Sequence, residues 1–123
     1  MPYGTLLTDV VQSSTAGTPP QFNDGNSVQV GTLCRAWVYF VTAGTITRSF
    51  NVSSVTKNST GNWSVNFSTA FSAAPAAVCA ADAASNVIGP YVGSTSTTSL
   101  VIQTKNTGGA AVDTAVVYCA CFS

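Results

Sequence analysis

Four cysteines carry most of the reactive chemistry this chain offers. Cys119 and Cys121 stand two residues apart. On a strand they project from one face with roughly 6.5–7 Å between their α-carbons, too far for an easy disulfide with each other. Together with Cys34 and Cys79 they match a four-thiolate zinc site in number. Such sites, however, are built on CxxC knuckles in tight turns, and neither knuckle is present. Four buried thiols acting as small hydrophobes in a reducing compartment is the first reading. A cross-strand pairing of Cys79 with Cys119 or Cys121 is the second, and a metal site the third.

The rest of the catalytic inventory is thin. There is no histidine and no glutamate, which removes Ser–His pairs, His proton shuttles and His metal ligation. Asp9, Asp24, Asp82 and Asp113 are widely spaced, and none sits in a pattern that pairs carboxylates for glycoside chemistry. Gly108-Gly109 lacks the strand–helix context of a phosphate loop and reads as a turn. No enzyme activity and no cofactor are expected. Asn51, Asn58, Asn62 and Asn66 each open an N-glycosylation pattern, but an Asn- and Ser-rich strand generates such matches by its alternation. Trp37, Tyr39, Trp63 and Tyr91 are the aromatics placed for contact. Core or subunit packing is the commoner use of single strand aromatics, with Trp63 and Tyr91 as candidates to face a ligand such as a glycan.

These residues sit in 123 positions with 46% hydrophobic side chains, only 7% charged ones and zero formal net charge. An average globular domain is about 25% charged. A monomer with so little charge tends to associate with itself, so an oligomer or larger assembly is expected. Arg35, Arg48, Lys57 and Lys105 are scattered among the four aspartates, which gives no basic patch for nucleic acid. The longest apolar run, residues 73–81, contains Pro75 and falls far short of the ~20 residues a bilayer requires. The opening Met1-Pro2-Tyr3-Gly4-Thr5 has no basic segment followed by an apolar one, so a protein that folds in a cytoplasm is expected.

The elements that must position these side chains are strands. In residues 33–42, Cys34, Ala36, Val38 and Phe40 fall on one face, and Arg35, Trp37, Tyr39 and Val41 on the other. Both faces are largely apolar, which predicts a central strand or one whose outer face meets a partner subunit. Residues 46–55 read as the next strand and residues 57–61 as a hairpin loop. In residues 62–68, Trp63, Val65 and Phe67 alternate with Asn and Ser, the cleanest period-two pattern in the chain. Strands follow at residues 76–82, 87–88, 91–92, 100–102 and 113–122, with Gly89-Pro90 as an interruption and residues 94–99 as a loop. No helical periodicity persists over two turns. The expected fold is an all-β antiparallel sandwich, or a jelly-roll-like variant, over residues 27–123. Residues 1–26, with Pro19-Pro20 and Asn23-Asp24-Gly25-Asn26, form an extended N-terminal arm and linker. A first strand of the same sandwich is the alternative for that segment. Leu6, Leu7, Val10 and Val11 are its candidate contacts.

Arg35-Ala36-Trp37-Val38-Tyr39-Phe40, followed by Ser49-Phe50-Asn51-Val52-Ser53-Ser54-Val55-Thr56, resembles a module recurrent in tailed-phage virion proteins. That module runs K-A-W-V-x-F, then S-F-N-V-S-S-I-T-D-N-G-T-G-D-Y-T-V-N-F. Asn58, Thr60, Gly61, Val65, Asn66 and Phe67 match its second half, and Trp63 stands where Tyr is usual. Tyr3-Gly4-Thr5-Leu6 is similar to the start of small structural proteins of cyanophages and marine phages. The resemblance covers residues 1–71 and departs from the pattern at Cys34 and Arg35. It implies a virion location. The chain is the module plus a short arm, without the long stalk of a fibre, and this implies a capsid decoration (cement) protein or short head fibre. Such a protein would be a homotrimer seated on the major capsid protein or another virion protein, with Trp37 and Tyr39 between subunits. The alternative it implies is a tail-fibre tip that recognises host glycan.

Overall fold

A computed structural model of the chain describes the backbone of residues 21–23, 28–30, 33–82 and 87–123. The chain divides into two units, Met1–Thr32 and Leu33–Ser123. In the first, β1 (Gln21–Asn23) and β2 (Val28–Val30) pair antiparallel, with Phe22 opposite Gln29. β1 lies inside the segment 1–26 expected as arm and linker, and β2 is its ladder partner. The candidate arm contacts Leu6, Leu7, Val10 and Val11 lie outside the described residues.

The second unit holds β3 (Cys34–Val41), β4 (Ile46–Phe50), β5 (Val52–Ser59), β6 (Asn62–Phe67), β7 (Ala76–Asp82), β8 (Val87–Thr95), β9 (Ser99–Asn106) and β10 (Val116–Phe122). Two four-stranded sheets form, in the orders β4-β3-β10-β7 and β5-β6-β9-β8, and every ladder is antiparallel. The expected all-β antiparallel sandwich is what the chain builds, and the described residues contain no helix. Period-two alternation explains the core. Ala36, Val38 and Phe40 of β3 join Val117, Cys119 and Cys121 of β10, and they face Trp63, Val65 and Phe67 of β6 with Leu100 and Ile102 of β9. Each of the larger side chains contributes about 1.5–3 kcal/mol by leaving water. Phe40 meets Trp63 edge-on, with ring centroids 5.9 Å apart.

Several boundaries differ from the sequence expectation, and three of them have a plain local reason. Residues 46–55 are not one strand: Asn51, at φ 55°, turns the chain from the first sheet into the second. Gly89-Pro90 does not end a strand but lies in a register shift between Ile88 and Tyr91, inside β8. The loop expected over residues 94–99 shrinks to the three residues between β8 and β9, where the Ser96 hydroxyl accepts from the backbone N–H groups of Thr98 and Ser99. A serine side chain closing its own turn is what frees Ser94, Thr95 and Ser99 to join the ladder.

Candidate protein-interaction surface

The alternation that buries Ala36, Val38 and Phe40 necessarily turns Trp37, Tyr39 and Val41 outward. On β10 the same rule buries Val117, Cys119 and Cys121 and exposes Tyr118 and Ala120. Directly paired residues share a face, so the ladders fix a grid on the outer surface of this sheet. One row reads Phe50, Trp37, Ala120, Val78 from β4 to β7. The next reads Arg48, Tyr39, Tyr118, Ala80. A third has Val41, Val116 and Asp82. Trp37 is 39% exposed, Tyr118 45%, Phe50 55% and Val78 63%. These are large apolar side chains left in water side by side, unlike the isolated apolar residues any surface carries.

The relief of this face is uneven. Tyr39 and Tyr118 stack with centroids 4.8 Å apart and planes 14° from parallel. Ala80 and Ala120 are too short to fill their places, and with Trp37, Tyr39, Tyr118 and Val78 they surround a hollow of about 360 Å³. Charge appears at opposite rims, as Arg48 on β4 and Asp82 on β7, and near the start of β3, where the Arg35 guanidinium lies 5.5 Å from the Phe71 ring centroid. The Tyr118 phenol is held above its usual range, first by partial loss of water and then by its proximity to Tyr39 and to the Asp82 carboxylate, which disfavour a second negative charge there.

The outer face of the other sheet is of a different kind. Asn58 Nδ2 donates to Asn62 Oδ1 (2.9 Å) and to Ser64 Oγ (2.8 Å), and Asn66 Nδ2 donates to Ser54 Oγ (3.0 Å). These amides and hydroxyls satisfy one another in a ladder without charge. Tyr91, a sequence candidate for ligand contact, lies on this face. Its hydroxyl donates to Gln103 Oε1 at 2.9 Å, and Lys105 Nζ sits 5.4 Å from its ring centroid. Trp63, the other candidate, is not available to any ligand. It is fully buried, and its Nε1–H donates to the Thr42 carbonyl at 2.9 Å. The period-two pattern that marks Trp63 as inward-facing outweighs the general suitability of tryptophan for stacking on sugars.

The thiols also depart from expectation. Cys119 and Cys121 are buried, Cys79 is half-buried, but Cys34 is exposed. Cys34 begins β3 beside a register shift at Cys121/Phe122, and its Sγ–H donates to the Ala36 carbonyl at 3.4 Å. All four are free thiols, and Cys79 faces Cys119 directly across the β7–β10 ladder with their sulfurs 3.2 Å apart. Hydrogen bonding to Cys121 and Cys79, reinforced by burial, pushes the Cys119 thiol far up and keeps it protonated. Among the described residues no cluster of three or more His, Cys, Asp or Glu side chains is placed to hold a metal.

Asp113 supplies the other polar feature. It lies before β10 rather than in it, accepting from the Gly61 N–H at 2.8 Å and pairing with Lys57 Nζ at 2.5 Å. It ties the β5–β6 turn to the approach to β10, which is a structural task.

Sequence reasoning brings out Trp37 and Tyr39 but passes over Phe50, Val78 and Tyr118. A signal for Tyr118 exists in the alternation of Val117, Cys119 and Cys121 with Tyr118, Ala120 and Phe122. Which strands flank β3 and β10 follows only from the topology. The chain matches no protein-family model, no curated protein sequence and no solved structure.

Proposed function

We propose that this chain is a non-enzymatic surface protein of a bacteriophage virion, a capsid decoration or short head-fibre protein that stabilises the shell by bridging neighbouring subunits. The class comes from the likeness of Arg35 to Phe40 and Ser49 to Phe67 to the virion module. The observation that carries an assembly role is the outer face of the β4-β3-β10-β7 sheet, where Trp37, Phe50, Val78 and Tyr118 stand exposed around a hollow. Large interfaces form readily on such a surface because few charges must be stripped of water. Leu6, Leu7, Val10 and Val11 are the proposed attachment to the capsid protein. Removing residues 1–12 and measuring copies bound per particle tests this: occupancy falls several-fold if the segment is the anchor, and undiminished occupancy refutes it.

A second reading, glycan recognition at a tail-fibre tip, is favoured by Tyr91, whose ring stands between Gln103 and Lys105 on an amide-rich face. Glycan-array binding that is lost in Tyr91→Ala would select it over decoration.

A further inference from the structure

We infer that the apolar outer face of the β4-β3-β10-β7 sheet is covered by a second copy of this chain, related by a two-fold axis that runs parallel to the strands between β3 and β10. Rotation about such an axis lays β4 of one copy over β7 of the other, and β3 over β10. In the first row this sets Trp37 over Ala120 of the second copy and Phe50 over Val78. The largest side chain of the face then meets one of its two smallest, at the hollow of about 360 Å³.

In the next row Arg48 lies over Ala80, two residues along the strand from Asp82. That offset is about 6.6–6.8 Å, within the reach of an arginine side chain. The axis repeats the contact, so two Arg48–Asp82 pairs close opposite rims while the Tyr39–Tyr118 stacks meet at the centre. A two-fold axis across the strands does the reverse. It sets Arg48 against Arg48 and Val78 against Asp82. Size and charge therefore select the same operator, and they select it for a copy of this chain.

The four strands, of eight, five, seven and seven residues, give a flat footprint of roughly 430 Å² per copy. That is below a standard interface of about 800 Å² per partner, and it places the dimer among concentration-dependent associations. The inference rests on the assembly role proposed for this face, and it puts a two-fold dimer in place of the homotrimer that the resemblance implies. Its test uses the isolated chain alone, so dimerisation and capsid binding succeed or fail separately.

The test is sedimentation equilibrium of the full chain in reducing buffer, from low to high micromolar concentration, with tryptophan emission as a second readout. The expected result is a monomer–dimer equilibrium in which Trp37 emission shifts to the blue as dimer forms. Arg48→Asp and Asp82→Arg should each raise the dissociation constant at least about tenfold, through like-charge contacts. The double exchange should return it to within about threefold of the original. Ala120→Trp fills the hollow and should abolish the dimer. All of these positions face outward, and an unchanged blue emission component from buried Trp63 reports that each variant is folded. A monomer at every concentration, a trimer, or a dimer indifferent to the single exchanges or not rescued by the double one overturns the inference.

Discussion

At the scale of single residues, environment decides what a side chain does, and Asp113 makes the point with a sign. The Lys57 ammonium first, and the Gly61 N–H second, stabilise its ionised form and hold its carboxyl below its ordinary value of 3.8. A carboxylate whose folded pKa is depressed stabilises the fold fully above its unfolded pKa, and that stabilisation is lost as pH falls through the folded value. The pair is about one-third exposed on each side, so solvent screens it and the contribution is modest. Asp113→Asn should lower unfolding free energy by about 1–2 kcal/mol at neutral pH. The gap between the two proteins should narrow as the pH falls below the ordinary carboxyl value of 3.8 and close once the carboxyl is protonated in both the folded and the unfolded state. Urea midpoints measured for both proteins across that range check it. A gap that persists at the lowest pH would mean the asparagine disturbs packing instead of charge. Trp63 and Trp37 show the same dependence on setting without titration: one is a core wedge with its N–H satisfied by Thr42, the other an exposed ring on a sheet face. Their alternation partners distinguish them in the sequence, since Trp63 alternates with Asn and Ser while Trp37 alternates with buried apolar residues.

At the scale of elements, the strands were legible and their ends were not. Residues 62–67 could be read directly, because a half-buried strand imposes period two on its side chains, while residues 76–82 are legible as a short stretch of small side chains. The division between β4 and β5 could not, since nothing in Ser49-Phe50-Asn51-Val52-Ser53 breaks the extended pattern. The break rests on tertiary bonds. Asn51 Nδ2 donates to the carbonyls of Arg35 and Thr69, both at 3.2 Å, and its Oδ1 accepts from the Thr69 N–H at 2.7 Å. Asparagine also tolerates φ 55°, where most side chains are strained. Asn51→Ala should therefore cost about 2–3 kcal/mol, from lost hydrogen bonds and backbone strain together. Asn51→Gly should recover about 1 kcal/mol of that by relieving the backbone alone. Guanidinium unfolding of the three proteins separates the two contributions. Equal losses in both variants would assign the whole effect to the side-chain bonds. The Asp113 bridge was illegible for the same reason: Lys57 and Asp113 are 56 residues apart and are joined only by the topology.

At the scale of the whole molecule, the sandwich is two-faced. One outer surface satisfies its polar groups internally through Asn58, Asn62, Ser64, Asn66 and Ser54. The other exposes Trp37, Phe50, Val78 and Tyr118. Composition raises the expectation of association, because 7% charged residues leave little to keep copies apart. It does not single out a surface for that role, since which side chains form one face depends on which strands lie beside β3 and β10. If a copy of the chain covers the apolar face, folding and association share one free-energy balance, because only the folded chain presents the grid. Thermal stability must then depend on protein concentration, whereas a monomer that unfolds reversibly has a concentration-independent Tm. Each tenfold rise in concentration should raise Tm by about 2–4 °C while the dimer is populated. Arg48→Asp should flatten that slope without lowering Tm at the dilute end, since Arg48 is exposed and takes no part in the core. Scanning calorimetry over the same concentrations measures both. A flat Tm in the unmodified chain would separate the apolar face from stability and leave its coverage to a partner other than the chain itself.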